Sequence, residues 1–152
     1  ANMVTLVVLP YSEAAKPMPD EGFLGAVSAY IEDYRPITTL VKVCAPIYVS
    51  VDISADVVCT IREVEQARQS VEQVLRKMFS ASAADGRAHF GEPVTHAAVT
   101  AAICAVEGIL TVRRLQLNIS DSRCTRDRYG RMMIPPHAIA CCGRVDIEVT
   151  EP

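Results

Sequence analysis

A chain of 152 residues is long enough for one domain or two very small ones, and half of its residues are hydrophobic against 22% charged. That balance excludes a disordered tail, and a core of this size forms without a metal or disulfide staple. The formal net charge of −3 makes the whole chain a poor polyanion binder.

The chain-order reading starts with a short apolar run at 4–9, stopped by Pro10, which predicts a strand buried on both faces. The run lacks the basic flank of a signal peptide, and nothing in the chain approaches the ~18 apolar residues of a membrane span. Residues 11–19, with Pro17 and Pro19, predict a loop. Asp20 then caps a helix whose apolar positions are Phe23, Leu24, Val27, Tyr30, Ile31 and Tyr34, and Pro36 ends it. Gly22 and Gly25 weaken its first turns by roughly 1 kcal/mol each, so packing must hold them.

The clearest strand follows at 47–57. Ile47, Val49, Val51, Ile53, Ala55 and Val57 alternate with Tyr48, Ser50, Asp52, Ser54 and Asp56, which requires one buried face and one wet face. Residues 41–44 predict a lead-in to this strand, with Pro46 at the kink. A second helix at 63–79 carries Val64, Ala67, Val71, Val74, Leu75 and Met78 on one stripe, and Glu72 and Arg76 form a favourable pair on the other. Residues 80–88 predict a small-residue loop. Pro93 opens an alanine-rich third helix that reaches Val106, with Gly108 as its cap. A strand at 109–119, a long polar loop at 120–136 and a last strand through Val145, Ile147 and Val149 complete the chain. The order β-α-β-α-α-β-β predicts an α+β two-layer sandwich, a mixed sheet with helices on one face, built as a single domain over residues 1–152.

Chemistry-bearing patterns are sparse. None of Cys44, Cys59, Cys104, Cys124, Cys141 and Cys142 sits in a C-x-x-C pair, and His89, His96 and His137 supply no zinc spacing. Cys44, Cys59 and Cys104 fall in apolar segments, where a thiol behaves as a small hydrophobe. Adjacent Cys141 and Cys142 point to opposite faces of a strand, and the six thiols are expected to be reduced. There is no glycine-rich phosphate loop, nucleophile elbow or H-E-x-x-H. Asp52 and Asp56 share the wet face and could do acid–base work, although alternating acids on a solvated strand are ordinary. His89 and His96 flank the turn into the third helix without a third ligand, and Cys104 has no neighbouring base. No catalytic, cofactor or metal residue is therefore assigned.

One electrostatic feature stands out. Residues 108–131 carry six arginines against Asp121 and Asp127, in a chain that is otherwise acidic. Within the loop Ser120-Asp-Ser-Arg-Cys-Thr-Arg-Asp-Arg-Tyr-Gly-Arg131, the side chains of Arg123, Arg126, Arg128 and Arg131 are candidates for contact with carboxylates on a protein partner. A plain solvated loop and a nucleic-acid arm stacking through Tyr129 are the competing readings.

Order and residues together carry a resemblance. The run Val4-Thr-Leu-Val-Val-Leu-Pro10, the helix ending in Tyr34-Arg-Pro-Ile-Thr-Thr39, the segment Val41-Lys-Val-Cys-Ala-Pro46 with the strand after it, then Phe90-Gly-Glu-Pro-Val94 and Val106-Glu-Gly-Ile-Leu-Thr-Val112, resemble the C-terminal part of baseplate J-like proteins. These are wedge subunits of contractile phage tails and related injection machines, and the resemblance runs over nearly the whole chain. It implies a structural, non-enzymatic part without a cofactor, preceded by a further N-terminal portion. It also implies partners among other wedge proteins and further copies of the chain, with no membrane or nucleic acid. The location implied is a virion or phage-like tail particle, with assembly in the host cytoplasm. A small-molecule-binding α+β regulatory module and, behind it, a small hydrolase or transferase using Asp52 and Asp56 are the alternatives.

Overall fold

In the computed structural model, which describes residues 2–10, 16–60, 62–80 and 90–152, the elements follow the chain as β1 (Asn2–Val7), α1 (Glu21–Glu32), β2 (Thr39–Cys44), β3 (Ile47–Cys59), α2 (Val64–Met78), α3 (His96–Cys104), β4 (Ile109–Asn118), β5 (Thr125–Arg126), β6 (Met132–Met133) and β7 (Ala138–Thr150). The predicted loop at 11–19 lies partly, and the loop at 80–88 almost wholly, outside the described residues.

β3 sets the architecture. Val49, Val51, Ile53, Ala55 and Val57 are all fully buried, while Ser50, Asp52, Ser54 and Asp56 point the other way. β3 is the middle strand of three, antiparallel to β4 and parallel to β7. Val71 and Leu75 of α2 and Val99 and Ile103 of α3 meet its odd positions, with α2 lying over β7 and α3 over β4. The α+β class holds: a mixed sheet carries two helices on one face. α2 keeps the predicted stripe as far as Leu75, whereas Met78, expected on it, is exposed. α3 is shorter than expected because Thr95 caps it, its Oγ1 accepting from Ala98 N at 3.1 Å. Val94 just before it is buried in a bridge to Met132.

Three expectations need correction. Residues 41–44 are not a lead-in to β3. They belong to β2, which pairs in parallel with β1 in a separate two-stranded sheet, with α1 on β2, and Pro46 marks the switch between sheets. β1 is also not buried on both faces: Met3 is 71% exposed and Val4 49%. Finally, the polar loop contains the β5–β6 hairpin, anchored by buried Met132 and Ile134, and β7 begins at Ala138, well before Val145.

β7 carries a bulge. Val51 stands opposite Cys142 and Ile53 opposite Val145, so Gly143 and Arg144 share the place opposite Asp52. The Arg144 amide donates to Asp52 Oδ1 at 2.8 Å. A Cβ on Gly143 would come within 2.5 Å of Asp52 Oδ1 and 3.0 Å of the Val51 carbonyl oxygen, so the strand closes only over glycine.

Candidate functional site

The arginine segment is an ordered hairpin held by two aspartates. Asp127 works as a turn former: its Oδ1 accepts from the amides of Tyr129 and Arg131, both at 2.9 Å. Gly130 supplies the left-handed residue of the turn with φ 79°. Arg131 Nε closes on Asp127 Oδ2 at 2.7 Å. At the entrance, Asp121 Oδ1 accepts from the Arg123 amide and Nε, both at 2.9 Å, while Arg123 Nη2 reaches Oδ2 at 2.6 Å.

This geometry sets the charges. The Arg123 side chain, then its amide, holds the Asp121 carboxyl down at about 2. Desolvation pushes Asp127 upward, but bonds from the Arg131 side chain and from the Arg131 and Tyr129 amides together outweigh it and leave the carboxyl lowered.

The four arginines are therefore distributed along the hairpin. Arg123 lies on Asp121, and Arg126 donates to the Leu117 carbonyl of β4 at 3.3 Å. Arg128 and Arg131 flank the exposed Tyr129 ring at 4.9 and 5.7 Å from its centroid. Only the last two come together. The hairpin presents a cationic edge around an exposed aromatic, a composition that suits protein contact.

The wet-face carboxylates have structural partners. Asp52 holds the β7 bulge, and Asp56 faces Arg114 across β4 at 3.4 Å. Among the described residues no three of His, Cys, Asp and Glu gather to hold a metal. His96 is exposed at the start of α3 and His89 lies outside the described residues. Cys141 and Cys142 do face opposite ways. Cys141 is buried, its Sγ 3.4 Å from the Val49 carbonyl, and Cys142 sits toward Arg76. Cys59 is buried as expected, whereas Cys104 is exposed. Burial pushes the Cys124 and Cys142 thiols up, which makes them poor nucleophiles at neutral pH. A recess of about 270 Å³ between Phe79, Pro93, Val94 and Ala98 is small for a ligand pocket and lined mainly by apolar groups. No helix of the described residues is long and apolar enough to cross a membrane.

A second surface escaped the sequence reading. No residue of α1 is buried, and its outward positions Gly22, Gly25, Ala26, Ser28 and Ala29 are exposed and uncharged. Tyr30, Tyr34 and Ile37 are exposed beyond them, and Met3 and Leu40 stand side by side on the open sheet face. The signal in the sequence was the lack of charge in β1 and between Glu21 and Glu32 of α1, features of elements covered on two sides.

No protein-family profile matches the chain. No curated protein matches it either. Among solved structures, a chain in the six-fold symmetrised baseplate of an anti-feeding prophage shares its fold, with a TM-score of 0.68 and 15% sequence identity over 93% of this chain. The present chain spans 29% of the length of that baseplate chain.

Proposed function

We propose that this chain is a structural subunit of a contractile-tail or injection-system baseplate, a wedge component that acts through protein–protein contacts rather than catalysis. The observation that carries this reading is the shared fold with a baseplate chain over 93% of the sequence. Large exposed apolar residues of the β1–α1–β2 unit, Met3, Tyr30, Tyr34, Ile37 and Leu40, support it, since such exposure on a small domain suits an interaction site. The aspartates that could have served an enzyme are engaged in holding strands together.

In this role the chain joins other baseplate proteins and further copies of itself within a tail-like particle assembled in the host cytoplasm. The cationic hairpin meets carboxylates on a neighbouring subunit chiefly through Arg128 beside Tyr129, because Arg123 and Arg131 are already bonded to Asp121 and Asp127 and Arg126 to the Leu117 carbonyl. Deleting the gene in a particle-producing host tests the role. The expected result is particles without an assembled baseplate, restored by supplying the chain in trans and seen by electron microscopy. Intact, contractile particles that lack the chain overturn it.

A further inference from the structure

The backbone of β1 has one edge paired with β2 and one that no strand of the described residues pairs. The Asn2 amide donates to the Thr38 carbonyl and the Val8 amide to the Cys44 carbonyl, both at 3.2 Å, so even-numbered residues turn their backbone groups toward β2. Met3, Thr5 and Val7 consequently aim their amides and carbonyls away from it, and among the described residues no strand receives them. Natural edge strands are guarded by lysine, proline, a bulge or a covering element. Asn2-Met-Val-Thr-Leu-Val7 has no charge and no proline, and its register with β2 runs unbroken. Met3 and Val4, which point to opposite faces, are both exposed.

We infer that β1 pairs antiparallel with β1 of a second copy, around a two-fold axis through Thr5, giving a four-stranded sheet in the order β2–β1–β1–β2. The register follows from which residues point outward. Thr5 lies opposite the partner's Thr5, and Met3 opposite the partner's Val7, each pair exchanging both backbone bonds. Between them Val4 meets the partner's Leu6 on the face that carries α1. From residue 3 to residue 7 every cross-strand pair is then threonine on threonine or apolar on apolar, both favourable, and no like charges meet. β2 could not do this as well, because self-pairing through its outer edge would bring Lys42 close to its own copy. An interface of this kind is isologous, so it closes at two copies and does not propagate.

This pairing deepens the assembly reading, on which it rests, by naming the edge where two copies meet. Sedimentation of the full chain should show twice the 16.5 kDa mass. Hydrogen exchange at the Met3, Thr5 and Val7 amides should slow as concentration rises through the micromolar range. Thr5→Lys and Thr5→Glu should each give single chains, since like charges would face each other on the axis, and an equimolar mixture of the two should restore the double mass. A chain that stays single with those amides unprotected overturns the pairing, as does a dimer that ignores both Thr5 variants. If such a single chain still enters baseplate particles, the assembly role survives without the pairing. If the chain dimerises as described but never enters particles, the assembly role fails on its own.

Discussion

The two parts of this molecule treat the same kind of residue in opposite ways. From β3 onward most apolar side chains are consumed within the chain, Met78, Leu110 and Tyr129 excepted: Val51, Val57, Val71, Leu75, Val99 and Ile103 retain no measurable exposure. In the β1–α1–β2 unit no apolar residue of the strands or helix is fully buried, and several stay in solvent, with Ile37 98% exposed and Tyr34 72%. A three-stranded sheet under two helices buries one whole face, whereas two parallel strands under one helix cannot cover themselves. The part from β3 onward holds the buried core, and the β1–α1–β2 unit leaves apolar surface uncovered by the described residues.

The largest expected effect contrasts the two directly. Val51→Asp sets an unpaired charge in the core and should lower stability by about 3 kcal/mol or more. Val4→Asp should cost under about 1 kcal/mol in the single chain, at a half-exposed site, and act instead on self-association. Comparable losses of melting temperature in the two variants would erase the distinction.

Glycines sharpen it at a smaller scale. Gly143→Ala drives a Cβ into Asp52 and the Val51 carbonyl and should cost about 1–3 kcal/mol. Gly25→Ala meets nothing within 4 Å and should raise the stability of the single chain by roughly 1 kcal/mol, because alanine suits a helix better. A destabilised Gly25→Ala chain would mean that α1 is already packed on its outer side.

Replacing Arg123, Arg126, Arg128 and Arg131 with alanine should leave the melting temperature within a few degrees, since exposed pairs contribute little and Met132 and Ile134 still anchor the hairpin. Under the proposed assembly role the same variant should weaken association with neighbouring baseplate proteins, most visibly at low salt. Nucleic-acid binding at physiological salt that the variant loses would transfer the loop to the other reading.

The smallest effect is on pH. Asp121 sits at about 2 in the folded chain, below the ~3.9 of an unfolded aspartate. Its contribution is therefore complete above ~4 and disappears as pH falls toward 2. An NMR titration should give that low midpoint, and Arg123→Ala should return it toward the ordinary range.

What was legible in the sequence was periodicity. The alternation in β3 identified its buried face residue by residue, and the stripe of α2 was equally plain. β1 was located correctly, but an apolar run predicts only that a strand wants cover, not that its own chain provides it. β2 was absorbed into its neighbour because two short apolar segments around a proline look like one bent strand. The first half of β7 is not legible, since Ala138 through Cys142 do not alternate with polar residues and all but Ile139 are small. The duty of Asp52 depends on Gly143 and Arg144, some ninety residues further on, and no local pattern links them. In the arginine segment composition was readable, but the aspartates that hold it were seen only as charges to subtract.

The parallel pairing of β3 with β7 has a consequence for synthesis. β3 is made early, yet one of its two edges remains bare until residues 138–150 have been translated. Closing that gap spans most of the chain, and non-local pairings of this kind form slowly. During that interval the growing polypeptide displays both the unpaired edge of its future central strand and the apolar β1–α1–β2 surface, the two features that most invite premature association. Completion of the last strand is thus the step at which the nascent chain exchanges two sticky surfaces for one.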